Sequence, residues 1–448
     1  MNPAACRAYL RDLQRFGIKL GLENITTVLA SFGHPQRSFP SVHVAVTNGK
    51  GSVCAMLTEI LALHDLKVGL FTSPHLVRIE ERIRVGGAEI SSRDFCRLIR
   101  EVKLRIARLM ARRELAAHPT FFEVLTLIAF LYFREKRIDI AVLEVGMGGR
   151  FDATNAVRPL VSVITSISMD HQEHLGTTLP KIAFEKAGII KPFVPVVCGA
   201  EAPGALPVIR EQALRLEAPF FNAFGRDHRL AAEKKRGRFV FGYAFGGRSF
   251  RFFPGLRGEH QGRNAAIAIA AASVLSRVWR PLETKKIVEG IARTRWEGRL
   301  EAVSKRPLVM LDGAHNEGGA AALAKYIGDF PGERPVLVFA VMKDKAIRRV
   351  VSLLFPLAKK VILTSIPYSR APLPSVQRQD RRGTIAPGRH PAGQDRGRPE
   401  RPRAHHGLLV PRRRLQENGL GARRWKPRGF SALGKIRAVT GGIPRALY

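Results

Sequence analysis

The chain has few cysteines, a shortage of acidic residues and no long apolar run. Its four cysteines, Cys6, Cys54, Cys96 and Cys198, lie far apart and form no Cys-x-x-Cys pair, which argues against a disulfide framework and a cysteine-rich metal site. The apolar run at 124–133 is shorter than the roughly 20 residues that span a bilayer, and the N-terminus lacks the apolar core of a signal peptide. We therefore expect a cytoplasmic protein that does not enter a membrane.

Basic residues outnumber acidic residues: 74 lysines and arginines stand against 37 aspartates and glutamates, a formal net charge of +37. Such a charge raises the possibility of nucleic-acid binding. However, the segment 375–448 carries 18 basic and 4 acidic residues and so contributes +14 of that charge. The other basic residues are scattered along predicted helices, as on a solvated surface. We expect the excess to attract anionic substrates rather than a nucleic acid.

Apolar runs of strand length alternate with helical patterns in the first part of the chain. Strands are predicted at 41–46, 66–72, 138–145 and 160–167, and helices at 50–63, 92–113, 121–134 and 262–275. The runs at 138–145 and 160–167 are apolar throughout, as in parallel strands buried on both faces. This alternation predicts an α/β fold with a doubly wound core, to which residues 237–253 add a hairpin.

A second, smaller α/β unit is predicted to begin near residues 296–300. Its strands are expected at 307–313, 335–341 and 360–366, and its helices at 316–327 and 345–354. Beyond these the chain loses its periodicity and becomes rich in arginine, proline and glycine, a composition typical of disorder. We therefore predict three segments: a doubly wound domain over 1–297, an incomplete Rossmann-like domain over 298–374 and an aberrant tail over 375–448.

The segment HVAVTNGKGSVCAML, residues 43–57, predicts a phosphate-binding loop between a strand and a helix. Gly49 and Gly51 would allow close backbone approach, and Lys50 would bring a positive charge to the β- and γ-phosphates. Ser52 would open the helix. An ordinary glycine-rich turn would be the better interpretation if nothing else in the chain supported a nucleotide site.

Two other predicted strands end in polar residues at the edge where open α/β sheets bind ligands. Glu144 ends the run at 138–145, and Asp170 and His171 follow the run at 160–167. Taken alone, the glutamate could cap a helix and the histidine could be a structural residue. Because Mg²⁺ binds carboxylates together with phosphate oxygens, three such side chains at the same edge as a phosphate loop favour a site.

Taken together, these segments resemble the folylpolyglutamate synthase/dihydrofolate synthase family, a branch of the Mur ligase superfamily of ATP-dependent amide-forming ligases. The motifs that carry the resemblance are, in chain order, RFGIKLGLENI, TNGKGS, SPHL, TFFEVLT, EVGMGGRFDATN, DHQEHLGTTLPKIAFEKAGIIK, EHQGRNAA, WEGRLE and LDGAHNEGG. The resemblance covers residues 5–370 and implies a P-loop ATPase domain followed by a glutamate ligase domain. SPHL, TFFE and DATN favour this family over the cell-wall Mur ligases.

The resemblance implies a role for each of a set of residues. The ATP phosphates would bind Asn48, Gly49, Lys50, Gly51 and Ser52, and the nucleotide would also contact Asn264, Arg299 and Asp312. One Mg²⁺ would bind Ser73 and Glu144, and a second would bind His171. The pterin part of the substrate would bind Thr120, Phe122, Glu123, Arg150 and Asp152. The catalytic residues would be Lys50, Lys186, Asp312 and His315.

Lys186 has the least ordinary of these implied roles. Its counterpart in the superfamily is carbamylated, which turns a cation into an anion that helps to place the second metal. Without the resemblance, Lys186 would be read as a solvated lysine on an amphipathic helix, and Phe122 as a plain core residue.

The implied reaction joins L-glutamate to dihydropteroate or to a folate. ATP phosphorylates a carboxylate to an acyl phosphate, the amine of glutamate attacks it, and an amide, ADP and phosphate result. The expected partners are these small molecules and not a nucleic acid, and the expected state is a monomer. Two alternatives remain open: an inactive, truncated product of such a gene, and a basic nucleic-acid-binding protein that acts through its tail.

Two features depart from the family pattern. Val46 replaces the first glycine of Gly-Thr-Asn-Gly-Lys-Gly-Ser, which costs about 1–3 kcal/mol if that position needs a positive φ and little if it is extended. The tail lacks the family's last helix and strands. One permitted codon choice for 405–414, read from its second base, encodes Ile-Thr-Gly-Ser-Leu-Phe-Leu-Val-Gly, which resembles the missing terminal motif. We therefore favour a frameshift near 367–380 and predict low stability and weak activity.

Overall fold

An eight-stranded sheet lies at the centre of the larger unit. Its strands are β1 Ser41–Ala45, β2 Val68–Phe71, β3 Ile83–Val85, β4 Ala88–Glu89, β5 Ile140–Glu144, β6 Val161–Ile164, β7 Val196–Cys198 and β8 Phe220–Asn222. Their order across the sheet is β4-β3-β2-β5-β1-β6-β7-β8. The strands from β2 to β8 in that order are parallel, and β3 and β4 form an antiparallel edge. The predicted parallel core is confirmed, and the antiparallel edge is an addition to it.

The computed structural model describes residues 3–17, 19, 21–45, 47–235, 238–330, 332–341 and 347–364. Val46 and the segment 365–448 lie outside the described residues. The predictions made for Val46, for the frameshift region and for the tail therefore fall outside them as well. Within the described ranges, no helix is long and apolar enough to cross a membrane.

Helices cover both faces of the sheet. In the larger unit they are α1 Pro3–Leu13, α2 Glu23–Ser31, α3 Lys50–Ala62, α4 Ser92–Ala111, α5 Phe121–Lys136, α6 Gln172–Leu175, α7 Leu179–Ala187, α8 Leu206–Arg215, α9 His260–Val278 and α10 Thr284–Arg293. Ile140 and Val142 of β5 enter a core with α3, α9 and α10. Ala141 and Leu143 enter a second core with α1, α2, α4 and α5. Burial on both faces explains why β5 is apolar along its length.

A three-stranded antiparallel sheet stands where the sequence predicts a hairpin. Its strands are β9 Leu230–Lys235, β10 Arg238–Phe245 and β11 Arg248–Phe252. The first of them, β9, is partly or fully exposed at every residue, so it lacks the apolar alternation that marked the other two. Phe241 of β10 packs against Gly262 of α9 so closely that a Cβ there would collide with the ring.

The smaller unit is built from β12 Glu301–Lys305, β13 Leu308–Leu311, α11 Glu317–Gly328, β14 Val336–Phe339, α12 Ile347–Leu354 and β15 Lys360–Leu363. In the described part, β12 and β13 pair antiparallel and β14 and β15 pair parallel. Its fully buried cluster consists of Ala320, Val350 and Leu354, whereas Val338 of β14 is 57% exposed. The predicted strands and helices are present, but apolar strand residues are left at the surface.

Candidate active site

The carboxyl ends of β1, β5 and β6 open into a cavity of about 1020 Å³. The chain leaves β1 for β2 on one side of the sheet and later adds β6 to β8 on the other side. Open α/β sheets bind ligands at such a reversal of strand order. Residues of both units line the cavity, including the segment 312–315 that follows β13.

The loop between β1 and α3 is bound to the segment that follows β6. The Thr47 amide donates to the Ser166 carbonyl over 2.9 Å, and the Ser168 amide donates to the Thr47 hydroxyl over 3.1 Å. The Asn48 side-chain amide donates to the Ser168 hydroxyl over 2.9 Å. Gly49 ends the loop as the N-cap of α3, with φ at +87°. The segment that follows β6 therefore fixes the position of the loop in the cavity wall.

Both glycines of the loop are in positions where a side chain would not fit. A Cβ at Gly49 would collide with the Asn264 amide, and a Cβ at Gly51 would lie 2.6 Å from Nε1 of Trp296. Beside them the Ser52 hydroxyl is buried in the cavity wall and has no hydrogen-bond partner among the described residues. Such a group is destabilising unless a ligand binds it. The start of α3 is therefore suited to a phosphate, with Lys50 as its cation.

Glu144 lies at the end of β5 and is 2% exposed. Its Oε2 accepts a hydrogen bond of 3.0 Å from the Ser73 amide. Burial raises the pKa of Glu144 to about 7, although the charge of Lys50 and the Ser73 amide pull it down. A cation bound beside Glu144 would restore its charged form, so this carboxylate with the Ser73 and Ser52 hydroxyls suits Mg²⁺, which prefers oxygen ligands.

The described residues contain no group of three or more histidines, cysteines, aspartates and glutamates that could hold a metal. Mg²⁺ does not need one, because it commonly takes one or two carboxylates and completes its shell with water and phosphate oxygens. The donors around Glu144 fit a Mg²⁺ that is shared with a nucleotide.

Asp170 and His171 line the cavity just after the segment that binds the phosphate loop, and Lys186 lies on α7. Asp170 Oδ1 accepts from the amide of His171, whose backbone is left-handed with φ at +48°. Lys186 of α7 is 4% exposed and does not itself line the cavity. Burial and the positive charge of Lys50 lower the pKa of Lys186 to about 7, against the opposing charges of Asp170 and Asp152. Its amine is thus partly neutral at neutral pH.

The smaller unit contacts this cluster through the turn at 312–316. The Asn316 amide donates to Asp170 Oδ2 over 3.2 Å, and His315 Nε2 lies 3.8 Å from the same oxygen. The Asp312 carboxylate accepts from the amides of Leu300 and Ala314. Asp312 therefore shapes the turn, and the turn brings His315 into the cavity.

Arg299 and Asn264 both line the cavity near this turn. Arg299 donates to the Gly298 carbonyl over 3.0 Å, and Asn264 donates to the Gln261 side chain over 2.9 Å. His260, at the start of α9, also lines the cavity. Burial lowers the pKa of His260 below its ordinary value. The sequence analysis did not single out His260.

The residues predicted to bind a pterin have structural contacts of their own. Thr120 and Glu123 form a capping box at the start of α5: Glu123 donates its amide to the Thr120 hydroxyl, and its carboxylate accepts from the Thr120 amide over 2.7 Å. Phe122 lies against Gly146, where a Cβ would come within 2.5 Å of the ring. Asp152 accepts from the Met147 amide over 2.9 Å and so orders the turn that follows β5. All four predicted residues line the cavity.

Arg150 is placed differently from the rest of that set. It does not line the cavity. Its guanidinium binds Glu185 through two hydrogen bonds, the shorter of 2.7 Å, and lies 4.3 Å from the ring centroid of Phe151. Arg150 thus contacts two residues that line the cavity, Phe151 and Glu185, without lining it itself.

Arg82 is a cavity residue that the sequence analysis did not assign. It directly precedes the buried Ile83 of β3 and is itself 8% exposed. Arg82 is the last residue of a short 3₁₀ helix, Ile79–Arg82, so the period-two alternation of β3 does not predict which way its side chain faces. In the charged stretch IEERIR, no local signal separates Arg82 from its surface neighbours.

The family models and the relatives agree on one family. Residues 44–272 match the Mur ligase middle domain and residues 298–393 match the Mur ligase glutamate ligase domain. A dihydrofolate synthase/folylpolyglutamate synthase of Bacillus subtilis is 37% identical over 377 residues, which cover 82% of this chain and 86% of that protein.

Solved structures give the same result. A Mycobacterium tuberculosis folylpolyglutamate synthase in complex with ADP and AMPPCP matches with a TM-score of 0.76 and 33% identity, over 83% of this chain and 84% of that one. An FPGS complex with AMPPCP and folate matches with a TM-score of 0.73 and 33% identity, over 82% of this chain and 90% of that one. The chain therefore belongs to the folylpolyglutamate synthase/dihydrofolate synthase family, ATP-dependent glutamate ligases with the two-domain α/β fold of the Mur ligases.

Proposed function

We propose that this protein joins L-glutamate to dihydropteroate, to the γ-carboxylate of a (tetrahydro)folate, or to both, with ATP as the phosphoryl donor. One observation carries this proposal. A single cavity is lined by a phosphate loop, by the buried Glu144, by Phe122 and by a turn of the smaller unit. A ligase of this kind must bring three substrates together, and the bound AMPPCP and folate of a related structure support the choice of substrates.

ATP is proposed to bind at the start of α3. Gly49, Lys50 and Gly51 would meet the phosphates. The Ser52 hydroxyl, which has no partner within the described part of the chain, would gain one there. Asn48 would act mainly by holding the loop through Ser168. The nucleoside would contact a further set of cavity residues: Asn264, Arg299 and Asp312. Preorganised amides and a cation stabilise phosphoryl transfer because charge develops where they already point.

Two Mg²⁺ ions are proposed, one at Ser73 and Glu144 and one at His171. When bound, they neutralise negative charge on the transferring phosphoryl group. Glu144 contributes a carboxylate that is buried and therefore attractive to a cation, and the Ser73 amide orients that carboxylate. His171 is held at its position by the hydrogen bond from its amide to Asp170.

Lys186 is proposed to carry a carbamate. A neutral lysine amine can attack CO₂, forming an N–C bond and releasing one proton, and burial keeps part of the Lys186 amine neutral near pH 7. The carbamate would also replace a buried cation beside Lys50 by an anion. We expect Lys186→Ala to lose activity and a small carboxylic acid such as acetate to restore part of it. Lack of rescue, together with no carbamate signal in the ¹³C NMR spectrum of the native protein equilibrated with ¹³C-bicarbonate, would count against the carbamate.

The smaller unit is proposed to complete the site. Once the substrate carboxylate has attacked the γ-phosphorus and ADP has left, the glutamate amine attacks the acyl carbon, and phosphate leaves. His315 and Asp312 would position the nucleotide and the incoming amino acid from the turn that reaches Asp170. The contact between the two units excludes water from the acyl phosphate, which would otherwise hydrolyse.

We also propose the domain division 1–297, 298–374 and 375–448, a cytoplasmic location and a monomer. The larger domain would bind ATP and the pteridine substrate, and the smaller domain would bind glutamate. Arg150 would act on the pterin indirectly, through the turn that Asp152 orders, because its side chain binds Glu185.

The function is tested by following ADP release from ATP. We expect release only when dihydropteroate or a tetrahydrofolate and L-glutamate are both present, with a product one glutamyl residue heavier by mass spectrometry. Lys50→Ala should lower the rate on the order of 100-fold, because the loop loses its cation. ADP release with a UDP-muramoyl acceptor instead of a pteridine would contradict the proposal, and no ligation with any acceptor would favour the inactive alternative.

A further inference from the structure

Arg82 is a buried cation in the cavity wall that has no role in the site described so far. Its Nε donates a hydrogen bond of 2.8 Å to Nδ1 of His75. Its guanidinium also lies 5.5 Å from the ring centroid of Phe121. A hydrogen bond at Nε and a ring beside the guanidinium plane fix the orientation of an arginine. The Nη edge of Arg82 is thus held in one direction rather than left to sample several.

Arg82 lies between two groups of functional residues. On one side, Phe121 belongs to the same helical turn as Phe122, the proposed pterin contact. On the other side, the positive charge of Arg82 acts on Glu144, where it lowers the pKa of that carboxylate. Arg82 is therefore close both to the proposed ring end of the cavity and to its proposed metal and phosphate end.

A pteridine substrate has to span that interval. Its ring would lie with Phe122, and its carboxylate must reach the γ-phosphate beside Glu144 for phosphoryl transfer to occur. The position between the two is that of the benzoyl group and its carboxylate. A guanidinium there matches a carboxylate in charge and in geometry, because two parallel N–H groups fit its two oxygens.

We propose that Arg82 binds the reacting carboxylate of the pteridine substrate, and that His75 is a positioning residue that orients the Arg82 guanidinium. This inference rests on the proposed function. It assigns Arg82 of IEERIR and His75 of SPHL to substrate selection, since a substrate that ends in a carboxylate would be preferred to one that ends in a neutral group.

The first test measures binding without catalysis. Dihydropteroate and its carboxamide are titrated into the wild-type protein and into Arg82→Gln, in the absence of glutamate. We expect the wild type to prefer the carboxylate on the order of 10- to 100-fold, the usual range for a charge-assisted pair. In Arg82→Gln the preference should disappear, because the carboxylate loses its partner while the carboxamide does not. Arg82→Lys, which keeps the charge, should retain part of the preference.

A matched control comes from the same loop. Arg78 is exposed and pairs with Glu89 over 2.7 Å, so Arg78→Gln removes an equal charge without touching the cavity. We expect it to keep the wild-type preference. The proposal is overturned if Arg82→Gln and Arg82→Lys weaken the binding of dihydropteroate and of its carboxamide equally. It is also overturned if Arg78→Gln weakens binding as strongly as Arg82→Gln does.

The role of His75 needs a separate readout. His75→Ala should raise KM for dihydropteroate on the order of tenfold and leave KM for ATP within about twofold, since one hydrogen bond from the charged Arg82 guanidinium is lost. His75→Asn, whose Oδ1 lies near the position of Nδ1, should restore most of the loss. Equal changes in both KM values, or no rescue by asparagine, would overturn the assignment. Failure of the wild type to bind either dihydropteroate or a tetrahydrofolate would instead overturn the proposed function.

Discussion

At the scale of single residues, the site depends on ionisable side chains that are buried. Glu144 and Lys186 each have a pKa near 7 because burial disfavours the charged form of each. A carboxylate and an amine with ordinary pKa values would both be fully charged at neutral pH. Burial therefore prepares one of them to bind a cation and the other to react as a neutral amine.

Glu144→Gln should separate function from stability. The amide keeps an acceptor for the Ser73 amide but cannot attract a cation, so ligase activity should fall on the order of 100-fold. Since the folded state raises the pKa of Glu144 above its ordinary value, ionised Glu144 destabilises the fold as pH rises through about 7. The variant should therefore have a Tm at least equal to that of the wild type at pH 8. A lower Tm at pH 8, with activity retained, would contradict both expectations.

We predict that His43 makes the stability of the fold depend on pH, independently of catalysis. It lies on β1, donates to or accepts from the Thr154 hydroxyl over 2.8 Å, and burial with the nearby Lys191 lowers its pKa to about 3. The unfolded chain takes up this proton near pH 6.5 and the folded chain does not, so stability falls as pH decreases from about 6.5 toward 3. The loss at pH 5 is about 2 kcal/mol.

The measurement is denaturant unfolding of the wild type and His43→Gln at pH 7 and pH 5. Glutamine does not titrate and can still form a hydrogen bond with Thr154. The free energy of unfolding of His43→Gln should therefore fall by about 2 kcal/mol less between pH 7 and pH 5 than that of the wild type. The other titrating groups are common to both proteins and cancel. If both proteins lose the same free energy of unfolding between pH 7 and pH 5, His43 does not cause the pH dependence.

At the scale of elements, the start of α5 has two roles that the motif TFFE does not distinguish. Thr120 caps the helix and also lines the cavity. Thr120→Ala should lower the free energy of unfolding by about 1 kcal/mol, the usual effect of losing an N-cap. Thr120→Ser keeps the hydroxyl and serves as the control. If Thr120→Ala raises KM for dihydropteroate without any loss of stability, Thr120 acts through the cavity and its cap does not stabilise the fold.

At the scale of the whole molecule, Asn316 connects the two units. Its Oδ1 caps α11 by accepting from the Gly319 amide over 2.9 Å, and its Nδ2 donates to Asp170. Asn316→Asp keeps an acceptor for the cap but places a second carboxylate against Asp170. We expect a rise in the radius of gyration by solution scattering and a fall in activity of about tenfold or more, the effect of losing a hydrogen bond to a charged group.

Asn222→Asp is a suitable control for this change. Asn222 accepts from the Phe224 amide through Oδ1 at the edge of the large sheet, so the variant adds the same charge away from Asp170. It should leave both readouts near their wild-type values. If Asn316→Asp leaves the scattering and the activity unchanged, the contact between Asn316 and Asp170 does not hold the two units together.

The exposed strands of the smaller unit bear on the frameshift hypothesis. Val336 and Val338 are 54% and 57% exposed, although apolar strands of this kind are usually covered on both faces. The hypothesis predicts that DNA sequencing finds one base fewer than the present reading near codons 367–380, because the terminal motif is read from the second base of codon 405. It also predicts a glycine codon at position 46. If the present reading is correct at both places, low stability and weak ligation are the expected properties of this chain.

Local sequence patterns were sufficient to predict most of the helices and strands. The predicted helix at 50–63 is α3 Lys50–Ala62, and the predicted strand at 138–145 contains β5 Ile140–Glu144. These signals extend over few residues, because apolar periodicity and glycine turns depend on near neighbours. β9 was not predicted, because every residue of this strand is at least partly exposed and its sequence has no apolar periodicity.

The sequence by itself determined the fold class, the phosphate loop and the family, because each is carried by a contiguous motif. Only the tertiary structure decided that Arg82 lines the cavity, that Arg150 pairs with Glu185 and that Asn316 bonds to Asp170. The physical reason is that a side chain's surroundings come from segments far apart in the chain. Its direction follows from packing between elements, and no local pattern encodes that packing.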